Sequence, residues 1–137
     1  FSMHSSLAFP LKKQNSTVDV ELPNAVGDDE YMSLLEWHLP RLLDLEPRPG
    51  LVLYDAGVDV HERDAVRRFC RGHLGLTDAG LRRRDEYVFR QCLTRSVPVA
   101  TVIGGGYSRD IDELACRHAV HAEAAADVVR TLQTSSG

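Results

Sequence analysis

Alternating and continuous apolar segments predict the strands of this chain. From Thr17 to Leu22, apolar and polar side chains alternate, which is typical of a strand with one face buried and one in water. Two later segments, Leu51–Tyr54 and Val99–Ile103, are continuously apolar, as expected of buried strands in a parallel sheet. The chain also opens as though inside a strand, and this places His4 on an apolar strand.

A helix is predicted between the first two strand segments. Apolar residues from Tyr31 to Leu42 recur at helical spacing and form one apolar face. Asp28 or Asp29 would cap the amino end. Pro40 interrupts the pattern, because proline lacks the backbone donor and clashes with the preceding turn. We therefore expect the helix to kink there or to end one residue earlier.

The second half of the chain predicts two more helices. Thr77–Asp78 would cap the first of them, with Leu81, Val88 and Cys92 facing inward. The second would run from residue 109 to residue 132, and a polar loop would occupy residues 60–76.

The resulting order of elements predicts the fold class. Strand, helix, strand, loop, helix, strand, turn and helix follow one another, which favours an α/β fold with a parallel sheet flanked by helices. We expect one domain over residues 1–133 and a frayed tail over residues 134–137.

Composition narrows the classes of protein. The 137 residues suffice for one domain, and a net charge of −4 argues against direct nucleic-acid binding. The arginines of residues 67–71 and 82–84 are therefore expected on a solvated surface. No apolar run reaches the roughly 18 residues of a membrane span. The three cysteines lack a pairing pattern, which predicts a reducing, cytoplasmic location. The first ten residues lack a signal peptide and an initiator methionine, so we expect a fragment.

Polar groups follow the two apolar strands. Asp55 and Asp59 end the first, and three glycines with Tyr107 follow the second. Ligands bind at the carboxyl edge of an open α/β sheet. A carboxylate and a phenol at that edge indicate half of a metallohydrolase site. On residue type alone, Asp59 could instead cap a turn, and Tyr107 could cover the core.

Three segments together resemble the carboxyl-terminal part of the histone deacetylase family, in particular its bacterial and class IV-like members. They read LVLYDAGVD, LGLTDAGLRRRDEYVF and PVATVIGGGY, and they occur in the family's order and spacing. Upstream, the segments Ser2–Met3–His4 and Phe9–Pro10 resemble a Ser-x-His segment and a Phe-Pro pair of the family. The resemblance implies an arginase/deacetylase α/β fold and a zinc-dependent amidohydrolase acting on acetylated lysine or polyamine.

The resemblance also assigns roles to particular positions. Asp59 matches a zinc ligand, and Tyr107 matches the tyrosine that stabilises the oxyanion. Ser2 and the backbone of Met3 match positions that help to hold a structural K⁺ ion. Phe9 matches an aromatic wall of the acyl-lysine tunnel. The turn glycines would let the backbone approach the substrate closely, and they are Gly104, Gly105 and Gly106.

The family's other catalytic groups do not occur in this chain. No Asp-x-His zinc pair precedes Asp59, and no His-His dipeptide occurs anywhere. One carboxylate cannot make a three-ligand site, so we expect the chain alone to be inactive and to need the missing amino-terminal part of the domain. Arg63 stands where the family carries a glycine, which puts the shape of the following loop and the role of Asp64 in question.

Several alternatives stay open at this point. The chain could be a non-catalytic deacetylase-like remnant that acts as a binding module. A nucleotide-binding α/β module is disfavoured, because the turn reads GGGY and not GxGxxG. His118 and His121 are expected on a solvated face of the last helix, and His61 is a weaker candidate for the rim of the site.

Overall fold

The computed structural model describes residues 1–135, which form an α/β chain with parallel strands flanked by helices. Four strands form two separate two-stranded parallel sheets. The first sheet pairs β1 with β2, and the second pairs β3 with β4. The strand bounds are Ser2–Ser5 for β1, Asp19–Leu22 for β2, Val52–Asp55 for β3 and Val99–Val102 for β4.

Three α-helices and one short 3₁₀ helix complete the described part of the chain. They are α1 at Asp28–Leu43, the 3₁₀ helix at Ala65–Arg68, α2 at Asp78–Thr94 and α3 at Ile111–Thr134. The predicted α/β class with parallel strands is therefore confirmed. The last helix includes Thr134, the first residue of the predicted tail. Residues 136 and 137 lie outside the described part, so the frayed tail stays a prediction.

The prediction that β3 and β4 are buried on both faces is wrong. Burial alternates along both strands, and Leu53 is 78% exposed. Val102 and Ile103 are exposed as well. The residues on the other face, such as Tyr54, pack against the core, because only that face is covered by described helices. The continuous apolar sequence of these strands therefore includes an apolar face that no described residue covers.

The start of α1 differs from the prediction, and the helix does not end before Pro40, so the alternative of a kink at Pro40 stays a prediction. Gly27 is the N-cap residue, and the acidic residues Asp28 and Asp29 lie in the first turn instead. There they still oppose the positive end of the helix dipole. The helix continues through Pro40 to Leu43, because the Asp44 N–H closes the last turn on the Pro40 carbonyl at 3.0 Å. Burial of Leu43 favours this extra turn.

The start of α2 is confirmed and is tied to α1. The Thr77 hydroxyl accepts a hydrogen bond from the Gly80 N–H at 3.0 Å, which is a helix N-cap. The Asp28 carboxylate in turn accepts from the Thr77 N–H at 2.9 Å and from its hydroxyl at 2.6 Å. A single carboxylate on α1 therefore fixes the residue at which α2 begins.

The core lies between the helices and the two sheets. Leu22 from β2, Leu35 from α1 and Leu81 from α2 are buried together in its larger cluster. A smaller cluster joins Phe89 of α2 to Ala124 and Val128 of α3. The inward-facing residues predicted for α2 are all buried, namely Leu81, Val88 and Cys92. Among residues 1–135, no helix combines the length and apolarity needed to cross a bilayer.

Candidate active site

Asp59 lies where β3 meets the glycine turn that follows β4. The Val58 and Asp59 N–H groups both reach the Gly105 carbonyl oxygen, at 2.6 and 3.3 Å. The sequence brings these groups together because β3 and β4 are parallel and in register, so their carboxyl ends meet at one edge. The predicted meeting of the aspartate strand and the glycine turn at one edge is therefore confirmed.

The glycines leave space for carboxylates that lie beside the turn. A Cβ at Gly105 would lie 2.6 Å from Cγ of Asp59, and one at Gly104 would lie 2.9 Å from Cγ of Asp55. Real Cβ atoms do not approach heavy atoms this closely. No described glycine has a positive φ, so the turn uses glycine for close approach and not for left-handed backbone. The predicted contact of these glycines with a substrate stays a prediction.

The Asp59 carboxylate is held in an unfavourable electrostatic environment. Burial raises the pKa of Asp59 above its ordinary value, and the nearby carboxylates of Asp64 and Asp55 raise it further. A cation at this position would relieve both effects, because opposite charge favours the ionised form. The buried Arg84 acts in the opposite direction and lowers the pKa of Asp59.

Asp64 connects the loop after β3 to Tyr107. Its carboxylate accepts a hydrogen bond from the Tyr107 N–H at 2.8 Å and another from the Val66 N–H at 2.7 Å. The Ala65 N–H returns a bond to the Tyr107 carbonyl at 2.9 Å. Asp64 is only 2% exposed. The sequence left the role of Asp64 in question. These three bonds show that Asp64 and its loop fix the backbone of Tyr107.

Arg63 is accommodated without backbone strain. The described residues other than glycine with positive φ are Ala25 and Ser96, so Arg63 adopts ordinary backbone. Its guanidinium forms ion pairs with Asp78 at 3.0 Å and with Glu113 at 3.2 Å. The replacement of glycine therefore ties the loop to the starts of α2 and α3.

A buried network behind Asp59 was not predicted. Arg84 of α2 donates to the Gly57 carbonyl at 2.7 Å and to the Ala56 carbonyl at 3.4 Å, and its Nε donates to Asp85 at 2.8 Å. The Tyr54 hydroxyl donates to the same Asp85 carboxylate. The expectation that Arg84 lies on a solvated surface is wrong, because it is buried and fixes the backbone just before Asp59. One sequence signal could have indicated this buried network. It is the adjacent Arg-Asp pair, which stands among the apolar residues of the inward helix face.

The histidines also depart from expectation. His118 is half-buried, and its Nε2 atom lies 2.7 Å from where a Cβ on Gly106 would stand. Burial lowers the pKa of His118, and the neighbouring His121 lowers it further. His61, the weaker candidate for the rim, is buried, with Nε2 at 3.1 Å from Asp78. The solvated-face prediction is wrong for His118, because α3 packs this ring under the glycine turn.

A cleft of about 790 Å³ brings several predicted residues together. Ser2, Met3, Phe9, Asp59 and Gly105 all line it. Phe9 is 80% exposed, lies in the segment that follows β1 and is joined to Pro10 by a cis peptide bond. The predicted roles of Phe9 in acyl binding and of Ser2 and Met3 in K⁺ binding stay predictions.

Tyr107 occupies a different position from the residues of the cleft. Its side chain is 54% exposed and is not among the described residues that line the cleft. Its link to the site passes through the backbone bond to Asp64 and through the glycine turn that contacts Asp59.

The described residues could supply only part of a metal site. Among residues 1–135, no group of three or more His, Cys, Asp or Glu side chains could hold a metal ion. Asp59 fits one ligand position, because its carboxylate is partly buried and a cation would stabilise it. A catalytic zinc site needs three protein ligands, so two would have to come from outside the described residues.

Comparison with known proteins finds one matching family and several relatives. The family model of the histone deacetylase domain matches residues 1–123. An uncharacterized protein of Picosynechococcus is 45% identical over 128 residues, which are 93% of this chain and 41% of that protein. Histone deacetylase 2 of Arabidopsis thaliana is 31% identical over 90 residues, which are 66% of this chain and 22% of that protein.

These matches cover most of this chain but less than half of either relative. The resemblance predicted from the three motifs is confirmed by the family match, which begins at residue 1 and includes all of them. The parallel α/β architecture is that of the deacetylase domain fold, as predicted. The chain belongs to the histone deacetylase domain family.

Proposed function

We propose that this chain forms part of a zinc-dependent deacetylase that hydrolyses N-acetyl amides, on lysine or a polyamine, to the free amine and acetate. The family membership supports deacetylase chemistry. The observation that carries the proposal is the placement of Asp59, partly buried and electrostatically strained, against the Gly105 turn that leads to Tyr107.

Asp59 would supply one oxygen ligand to the zinc ion. Zinc in such a site polarises the amide carbonyl and lowers the pKa of its bound water. This proposal is supported by the Gly105 carbonyl, which accepts the Val58 and Asp59 N–H groups and so restrains the backbone that carries Asp59. The Arg84 bonds to the Ala56 and Gly57 carbonyls add a second restraint on the same strand end.

Tyr107 would donate its phenolic hydrogen to the oxygen that becomes negative during hydrolysis. The Asp64 bond to the Tyr107 N–H fixes the backbone from which this side chain extends. A donor held in place before the reaction stabilises developing charge without reorganisation. The general base would come from outside this chain, so the chain alone is proposed to be inactive.

A zinc titration of a chimera tests the metal-binding half of the proposal. In this chimera, the present chain replaces the matched segment of the Picosynechococcus relative. We expect one zinc ion per chimera, and we expect Asp59→Asn to abolish stoichiometric binding. The matched control is Asp55→Asn, since Asp55 is an exposed carboxylate at the end of the same strand. A folded chimera that binds no zinc, or binds it equally after both changes, would favour a non-catalytic binding module.

A further inference from the structure

Two segments beside the cleft carry positive charge and no negative charge. Neither residues 1–18 nor residues 65–77 contain any of the chain's 20 acidic residues. Together the two segments carry five cationic side chains, namely Lys12, Lys13, Arg67, Arg68 and Arg71. Because the whole chain has a net charge of −4, these segments oppose the overall charge and create a local positive surface.

The backbone brings the two segments into contact. A Cβ at Gly72 would lie 2.6 Å from the Ala8 nitrogen, so the glycine lets the two backbones pack directly on each other. Lys13 and Gly72 both line the cleft. The positive surface therefore borders the cleft, and we call residues 7–13 and 66–72 together the basic rim.

The cations of the basic rim are not neutralised by carboxylates of the described residues. Elsewhere on the surface, the exposed Arg63 and Arg83 form ion pairs at 3.0 and 2.9 Å. Among residues 1–135, no ion pair involves any of the five cations of the rim. Lys13 and Arg67 donate to backbone carbonyl oxygens instead, which do not neutralise their charge.

Exposed apolar side chains stand among these cations. Phe69 is 83% exposed, and Phe9 and Leu11 are 80% and 79% exposed. Phe69 directly follows Arg68, and Leu11 directly precedes Lys12. Aromatic residues and arginine are enriched where proteins contact one another, and exposed apolar groups mark such contacts. The basic rim therefore offers both positive charge and apolar anchors to a partner.

We propose that the basic rim binds an acidic polypeptide segment, so that the protein prefers acetylated chains in which acidic residues flank the acetylated lysine. The guanidinium groups of Arg68 and Arg71 pair with carboxylates, whose geometry matches their planar fork. The exposed apolar side chains pack against the same peptide. The preference among substrates rests on the proposed function, whereas binding of the acidic segment does not.

A short acidic peptide fits the basic rim better than a nucleic acid or an anionic bilayer. Both of those are extended and would also face the surrounding surface, and the chain's acidic residues all lie outside the two basic segments. A segment of a few residues contacts the rim alone. Leu11 also lacks a ring on which a base could stack.

Fluorescence anisotropy with labelled peptides tests the proposal on the full chain. Each peptide has one central lysine, flanked on both sides by glutamates, by glutamines or by further lysines, and each is made with and without an acetyl group on the central lysine. We expect the glutamate peptide to bind about tenfold more tightly than the glutamine peptide at low salt, with a smaller ratio at high salt. Acetylation should leave this ratio unchanged, because the flanking residues contact the rim.

Charge reversal at pairs of exposed arginines provides matched variants. Arg68→Glu combined with Arg71→Glu should invert the preference, so that the lysine peptide binds more tightly than the glutamate peptide. Arg41→Glu combined with Arg90→Glu makes the same change in net charge on exposed positions of α1 and α2, and it should retain the preference for glutamate. Thermal melts of both double variants verify that each is folded.

Absence of peptide binding, or equal affinity for the glutamate and glutamine peptides, would overturn the proposal. An equal loss of preference in both double variants would overturn it as well, because the effect would then come from net charge. Tighter binding of a single-stranded oligonucleotide or of phosphatidylserine vesicles than of the glutamate peptide would overturn it in favour of those partners. Failure of the proposed function would look different, since acetate release could be absent while the glutamate preference remains.

Discussion

The carboxylate of Asp64 accepts the backbone N–H of Tyr107 at 2.8 Å, although the two residues are 43 positions apart. This bond connects the loop after β3 with the turn after β4. It places the candidate oxyanion donor relative to the strand end that carries Asp59. The candidate site is therefore organised by backbone contacts between two loops.

Removing the Asp64 carboxylate should loosen that connection. We expect Asp64→Ala to destabilise the chain by about 1–3 kcal/mol, because two N–H groups lose their acceptor. Exchange of the Tyr107 amide should also accelerate. The matched control is Asp110→Ala, which removes the N-cap of α3 and should cost about 1 kcal/mol without exposing the Tyr107 amide. Urea unfolding combined with amide exchange measures both effects, and an unchanged Tyr107 amide in Asp64→Ala would contradict the role of this bond.

Two neighbouring arginines on α2 should differ sharply in their contribution to stability. Arg84→Ala leaves the buried Asp85 carboxylate without its positive partner and removes a donor from two carbonyls, and we expect a loss of about 3–5 kcal/mol. Arg83→Ala removes an exposed ion pair with Asp29 and should change stability little, because water screens such pairs. Chemical denaturation of both variants measures the difference. Equal losses would show that Arg84 does not stabilise the end of β3.

Adding one methyl group to the glycine turn should disturb Asp59. Gly105→Ala would place a Cβ 2.6 Å from Cγ of Asp59, so the carboxylate or the turn must move. We expect a loss of about 1–3 kcal/mol, typical of overpacking. Gly50→Ala is the control, because open space surrounds that position, and it should change stability by less than about 0.5 kcal/mol. Thermal unfolding that shifts equally in both variants would contradict the close approach.

The stability of the metal-free chain should depend on the charge of Asp59. Burial raises the pKa of Asp59 in the folded chain, so the folded state favours the protonated carboxyl. This contribution to stability is present below the ordinary value of 3.8 and is lost as pH rises through the raised pKa of the folded state. We therefore expect Asp59→Asn to stabilise the metal-free chain at pH 7, with the gain shrinking as pH falls toward 3.8.

Thermal melts of the chelator-treated wild type and of Asp59→Asn across this pH range measure the effect. Asp112→Asn is the control, because that side chain is exposed and is not among the groups that shift the pKa of Asp59. A destabilised Asp59→Asn at pH 7 would show that another contact favours the ionised carboxylate and would remove the argument for a cation.

The sequence predicted the fold where local patterns agreed with tertiary contacts. Thr77 caps α2 and the inward residues of α2 are buried, because cap chemistry and helical periodicity act over a few residues. The continuous apolar segments led to the wrong prediction that β3 and β4 are buried on both faces. Leu53 is apolar and yet exposed, since no described residue covers that face.

The same distinction explains which parts of the site were predicted. Asp59 and the glycine turn could be placed together because parallel strands end at one edge. The roles of Asp64 and Arg84 depend on contacts with Tyr107 and with Ala56 and Gly57. Such contacts join distant segments, and no local pattern reports them. The burial of His118 under Gly106 is of the same kind.

The most direct test of the proposed function is acetate release by the chimera with and without the Tyr107 hydroxyl. Tyr107→Phe should lower kcat about a hundred- to a thousandfold, because one oxyanion donor is lost, while zinc content stays unchanged. Tyr87→Phe, on α2, is the control and should retain the parent rate. If an active, zinc-loaded chimera hydrolyses acetyl-lysine peptide equally well with Tyr107 or Phe at this position, Tyr107 does not stabilise the oxyanion and the proposed mechanism is wrong.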